Sequence, residues 1–295
     1  MKDKVKEILS NIVYWLYEKK FLKNKIKVQT VDETIDELLT TNKSLVRFGD
    51  GEIVVLKGTD IGLQQTSTEI SEGLKRILAY PYDDLMVALQ GEVFDNVKTY
   101  HKKSQKFWKE HLFFCRKIYH RYCNLDRIYA NTCFSRFYYV FNEKKECDRW
   151  ISKIKLIWKN KDVVIVEGVK SHNGVGNDLF DNANSIERII CPPKNAMDAY
   201  EEILKACEKY PKDRLFLLSV GVTSKFLAEA LFLKGYRVID IGNLDIEYEW
   251  YLHKAKEKVF YDKYLMESIE DNMKAGYSKY LAQIKQRIVI ESTGN

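Results

Sequence analysis

The sequence is poor in proline and glycine, with four and 14 among 295 residues. No stretch is rich in Pro, Ser or Gly, and no internal period repeats, which excludes a linker-joined or repeat architecture. No apolar run approaches the roughly 20 residues that span a bilayer. The N-terminus lacks the uninterrupted apolar segment and small-residue cleavage site of a secretory signal. Six cysteines (Cys115, Cys123, Cys133, Cys147, Cys191, Cys207) include no CxxC pair and no Cys/His cluster at zinc spacing. Free thiols in a reducing cytoplasm are therefore the expectation. A concentrated basic stripe or recognition module is also missing, so nucleic acid is not an expected partner.

What is present is an ordinary globular balance, 45% hydrophobic and 31% charged, in a chain long enough for a sizeable core. The net charge of +6 suits a protein that handles anionic phosphates or works near an anionic surface. Residues 1–30 read as an amphipathic helical extension, with Val5, Ile8, Leu9, Ile12, Val13 and Leu16 at helical spacing between lysines. Docking of that apolar face on the core or another subunit is the favoured expectation, and peripheral contact of residues 1–20 with a membrane is the alternative. Residues 31–295 read as one domain.

Within that domain, β-branched and apolar runs alternate with helical segments. The strand candidates are 44–48, 84–89, 129–132, 162–168, 187–191, 214–221 and 235–242. Helices are expected near 31–39, 68–79, 96–125, 134–158, 177–184, 198–209 and 223–234. This pattern predicts an α/β fold: a Rossmann-like, mostly parallel sheet flanked by helices, with additional N- and C-terminal helices.

Open parallel sheets bind ligands at the carboxyl ends of their strands, which singles out five segments. In Arg47-Phe48-Gly49-Asp50-Gly51-Glu52, two carboxylates bracketed by Gly49 and Gly51 can converge on a hard divalent cation, while Arg47 suits phosphate. A solvated turn is the plainer reading of the same residues. In Ser171–Asp178, the amides of Gly174, Gly176 and Asn177 could receive an anion at a helix start, or Asn177 could simply cap that helix. His172 could bind phosphate or lie on the surface. Thr223, in Gly221-Val222-Thr223-Ser224, offers a diphosphate contact or a helix cap. Arg136, at a strand–helix junction, would meet phosphate. Asp240, Asp245, Glu247, Glu249 and Trp250 supply carboxylates and an aromatic face for a sugar. Asp245, Glu247 and Glu249 are candidate general bases that spacing alone does not rank.

Taken in order, RFGDGEI, NTCFSRFYY, VVIVEG…GVGNDLF, RIICPPKNA and GYRVIDIGNLDIEYEW resemble the GT-D-type glycosyltransferases, a bacterial family long catalogued as a domain of unknown function. The similarity covers roughly residues 40 to 255. It implies a metal-dependent hexosyltransferase using a UDP-sugar, typically UDP-glucose, with Mn2+ or Mg2+ held by the family's Asp-x-Glu at Asp50 and Glu52. It also implies a glycan acceptor, protein- or lipid-linked, in surface polysaccharide or glycoprotein biosynthesis. One departure is Ser171-His172 where Ser-Arg is expected, which removes a phosphate-binding arginine. Members are often fused to a second transferase domain, whereas this chain reads as a stand-alone cytoplasmic enzyme that could work at the inner face of the membrane. The competing expectations are a nucleotide-dependent hydrolase or phosphotransferase, and a non-catalytic partner of another glycosyltransferase.

Overall fold

Val163–Val166 and Leu215–Leu218 are buried along their whole length, as strands covered by helices on both faces must be. They belong to a nine-stranded sheet in a computed structural model that describes residues 2–19, 21–22, 26–81, 83–265 and 277–288. In chain order the strands are β1 (Lys27–Val28), β2 (Ser44–Arg47), β3 (Leu85–Leu89), β4 (Ile128–Asn131), β5 (Asp162–Gly168), β6 (Ser185–Cys191), β7 (Leu215–Ser219), β8 (Arg237–Asp240) and β9 (Ile284–Arg287). Across the sheet they run β1-β4-β3-β2-β8-β7-β5-β6-β9, and every strand pairing is parallel. The α/β, Rossmann-like expectation is met.

The order places a seam between β2 and β8, where Leu45 pairs with Ile239. On one side lie strands from the first half of the chain. With the exception of β8 itself, the other side holds β7, β5, β6 and β9. The turns leaving β2 and β8 therefore open on one crevice, as the rule for open parallel sheets requires. One apolar cluster runs continuously from Tyr14 to Trp250. All six cysteines are free and buried.

Three local expectations are corrected. Residues 177–184 form a succession of turns rather than a helix. Gly174 and Gly176 both have positive φ (78° and 77°), and the Asn177 side chain accepts the Leu179 N–H at 3.1 Å, closing a turn instead of a helical ladder. Residues 134–158 are helical only at 132–135 and at Cys147–Leu156. Between them the N–H groups of Tyr138 and Tyr139 donate to the Glu247 carboxylate, at 3.2 and 2.9 Å, which withdraws them from any helix.

The third correction concerns the N-terminal helix, Lys2–Glu18. It docks through Ser10, Tyr14 and Tyr17 against the helix Lys102–Tyr122 and the turn before it, leaving Val5, Ile8, Leu9, Ile12 and Trp15 exposed. Polar contacts fix this choice of face. The Tyr14 hydroxyl accepts the Val97 N–H at 3.0 Å, Glu7 pairs with Lys106 at 2.7 Å, and Glu18 pairs with Lys98 at 2.8 Å.

Candidate active site

Residues that close or follow seven of the strands line one cavity of about 900 Å³: Arg47, Gln90, Thr132, Gly168, Pro192, Ser219 and Asp240. That volume lies at the upper end of the range for small-molecule sites. At its floor, beside the β2–β8 seam, the Lys225 ammonium lies between two carboxylates. It is 2.8 Å from Glu52 Oε1 and 3.0 Å from Asp240 Oδ2, and its side chain is only 3% exposed. Three distant segments make this cluster. Glu52 sits in the first turn of the helix Asp50–Leu56, Lys225 in that of Thr223–Leu233, and Asp240 closes β8.

The electrostatics follow from this arrangement. Burial opposes ionisation of Glu52, but Lys225 and the Gly49 N–H, which donates to Glu52 Oε2 at 2.8 Å, hold its carboxyl below the usual range. Burial likewise opposes the Lys225 charge, and Asp240 with Glu52 more than restores it, raising the ammonium above its ordinary value. Asp240 also accepts the Arg47 and Gly242 N–H groups, at 3.2 and 3.1 Å. The Arg47 guanidinium donates to Ser135 Oγ at 2.5 Å and lies against Gly242. A Cβ on Gly242 would stand 1.6 Å from Arg47 Nη2, so a larger residue displaces the guanidinium, and the φ of +46° favours glycine there.

Asp50 differs from its neighbours. Its carboxylate lines the cavity and makes no hydrogen bond or ion pair with a described residue. Gly49 and Gly51 line the wall beside it. Arg136 also reaches the cavity and donates to Glu247 Oε1 at 3.3 Å.

Asp245, Glu247 and Glu249 occupy the helix Leu244–Leu252, and all three are buried. Asp245 and Glu247 reach the cavity wall; Glu249 does not. Asp245 Oδ1 accepts from the Gly174 N–H at 2.9 Å and from Asn177 Nδ2 at 2.8 Å. Its Oδ2 meets the Tyr264 hydroxyl and Lys263 Nζ, the latter at 2.8 Å. Glu249 holds Asn177 Nδ2 and Lys263, at 2.7 and 2.6 Å. The Gly174 N–H and the Asn177 side chain are thus spent on these two carboxylates, and neither Gly174, Gly176 nor Asn177 lines the cavity. Thr223 is fully buried beneath it, with its hydroxyl unpartnered. His172 is buried against Tyr277 and Tyr280 and does not line the cavity, and burial lowers its proton affinity.

Sequence reasoning passed over Lys225, Gly242 and Lys194. Lys194, after the Pro192-Pro193 stop, and Lys258 line the cavity without a carboxylate partner among the described residues. Aromatic residues line it as well: Phe107, Trp108, Tyr139, Trp250 and Phe260, with His101 edge-on to Tyr139 and Lys258 over the Tyr139 ring at 5.5 Å. The lining therefore offers cations for a polyanion and apolar faces for sugar rings.

A family model for the glycosyltransferase GT-D fold matches residues 45–268. The chain belongs to the GT-D-fold glycosyltransferase family. It is similar to Glycosyltransferase GlyD of Streptococcus pneumoniae serotype 4, with 41% identity over 234 residues, 79% of this chain and 29% of that protein. It is also similar to the Probable glycosyl transferase Gly of Streptococcus gordonii, with 38% identity over 235 residues, 80% of this chain and 34% of that protein. The chain thus spans about a third of the length of these two relatives. Among solved structures, one reported as the highly conserved domain of unknown function 1792 with a distinct glycosyltransferase fold superposes with a TM-score of 0.85. The two are 36% identical, over 96% of this chain and all of that one. A glycosyltransferase of the same domain type from Streptococcus sanguinis gives 0.83 at 36% identity, over 90% of this chain and all of that one.

Proposed function

We propose that this chain transfers a hexose, glucose in the first instance, from a UDP-sugar to a glycan acceptor in surface polysaccharide or glycoprotein assembly. The observation that carries this reading is an uncommitted carboxylate, Asp50, beside buried and exposed cations in one crevice. Arg47 and Lys225 lie at the floor and Lys194 at the rim, where a diphosphate would be held by charge. Aromatic side chains line the same cavity, where an acceptor sugar would stack.

The donor set fits a hard divalent cation such as Mn2+ or Mg2+. Such ions take one or two carboxylates and complete their shell with water and substrate phosphate. Asp50 would be the direct protein ligand, and Glu52, shared with Lys225, the second. When bound, the ion would supply charge neutralisation at the leaving diphosphate. The chain's own groups do the rest. Lys225 keeps Glu52 ionised and bridges it to Asp240, and Asp240 fixes the Arg47 backbone. Of the three candidate bases, Glu247 is the one we assign. It reaches the cavity, and its Oε1 has a single 3.3 Å contact, whereas both oxygens of Asp245 are fully engaged.

Calorimetry with UDP-glucose and UDP-galactose, with and without manganese, tests the reading on wild type and Asp50→Ala. Cation-dependent binding is expected, lost in the variant with an unchanged melting temperature, since Asp50 supports no packing or pairing. A folded wild type that binds no UDP-sugar would refute the donor assignment. Phosphate release from nucleotides without glycan product would favour hydrolysis instead.

A further inference from the structure

The N-terminal helix is mounted with its apolar side outward. Val5, Ile8, Leu9, Ile12 and Trp15 recur at three- and four-residue spacing, and each is between 44% and 58% exposed. The side that meets the protein carries Ser10 and the hydroxyl-tipped Tyr14 and Tyr17. Tyr14 and Tyr17 join the core, while the five stripe residues stay in water, where they gain little from folding. Phe107 and Phe114 on the neighbouring helix are also exposed, and Lys6 lies 5.3 Å above the Phe114 ring. Contiguous exposed apolar surface of this kind marks an interaction site.

Charge identifies the partner. The helix Lys2–Glu18 contains three lysines against three acids and is neutral. Lys102–Tyr122 contains five lysines and two arginines against one glutamate, a surplus of six. That surplus equals the chain's whole net charge of +6, so the basic character of this face lies on Lys102–Tyr122, beside the apolar stripe. Glu7, Glu18 and Glu110 are drawn into pairs with Lys106, Lys98 and Lys6, which leaves Lys4, Lys102, Lys103 and Lys117 without a carboxylate partner among the described residues. Two copies meeting through this face would bring like charge together. Nucleic acid would satisfy the lysines but leave the aliphatic stripe in water. An anionic lipid surface satisfies both.

We infer that Val5, Ile8, Leu9, Ile12 and Trp15 insert at the interface of an anionic membrane, with the lysines of the helix Lys102–Tyr122 on its headgroups. This goes beyond the transfer reaction and does not depend on the donor. The apolar side chains would sit at the headgroup–acyl boundary, and the surrounding lysines would add salt-sensitive attraction.

Co-sedimentation of the full chain with vesicles of phosphatidylcholine, with and without phosphatidylglycerol, tests it. Binding is expected only to the phosphatidylglycerol vesicles and should weaken with salt. Ile8→Glu/Ile12→Glu should bind at least about tenfold more weakly, since each isoleucine withdrawn from an apolar layer is worth roughly that factor. Both substituted positions are exposed, so the fold and UDP-sugar binding should match wild type. That control separates failure of this inference from failure of the transferase reading. Three results would each overturn it: a folded wild type that stays in the supernatant at low salt; undiminished binding by the double variant; or wild-type dimers in light scattering that the double variant abolishes, which would assign the stripe to self-association.

Discussion

Replacing Lys225 by methionine keeps the shape of the side chain and deletes its charge. Glu52 and Asp240 would then face each other across the vacated ammonium position, with the Arg47 Nε 3.6 Å from Asp240 as the nearest remaining cation. Lys225 and Asp240 are 3% and 1% exposed, so little water is available to take its place. Removing one member of a buried charge cluster costs about 3–5 kcal/mol. With an unfolding entropy of about 2.1 cal/mol/K per residue, that corresponds to a melting point lowered by roughly 5–8 °C for a chain of 295 residues. The pH dependence has a fixed sign. Folded Glu52 ionises below its ordinary range, so its contribution is present at neutral pH and is lost as acid protonates the folded carboxyl. Lys225 is raised, so its contribution is lost only in alkali, as pH climbs through the folded value. In Lys225→Met, Glu52 regains its proton more readily, so the gap between variant and wild type should narrow on acidification. Melting followed by circular dichroism from neutral to mildly acidic pH reads both quantities. A variant that melts within about 1 °C of wild type at neutral pH, or a gap that widens in acid, would refute the account of the cluster.

Gly242→Ala should lose about 2–4 kcal/mol of stability, read by urea unfolding, because it combines left-handed backbone with a collision on the Arg47 guanidinium. It should also weaken UDP-sugar binding by displacing Arg47. Thr223→Val should be neutral or slightly stabilising, and should leave donor affinity unchanged, because the buried hydroxyl has no partner to lose. A calorimetric loss of donor binding in that variant would return Thr223 to the site.

The central strands were legible because Val163–Val166, Leu215–Leu218 and Val238–Ile239 are apolar without interruption, the pattern of a strand covered on both faces. The edges were not. β1 has two residues, and β9 reads Ile-Lys-Gln-Arg, whose alternate exposure resembles any surface segment. At the site, Arg47, Asp50 and Glu52 could be found from the strand-end rule alone. Lys225 could not: a lone lysine in a helix reads as solvated, and its partners lie far away in sequence. The glycine-bearing 174–177 loop was misjudged for a related reason. Its Gly174 amide and Asn177 side chain look free locally, and only the packed helix Leu244–Leu252 shows which carboxylates consume them.

The seam between β2 and β8 has a consequence for how activity arises. The Arg47 N–H and Asp240 carboxylate are separated by 193 residues, and Lys225 joins both to Glu52. No fragment of the chain from one side of the seam holds a complete set of these groups. Closing so long a loop is among the entropically later events of folding. The floor of the crevice is therefore assembled only when both halves have docked, and a partly folded chain does not bring Arg47, Glu52, Lys225 and Asp240 together. Donor binding thus reports on completion of the whole sheet, and cutting the chain between the halves should abolish it unless the pieces reassociate.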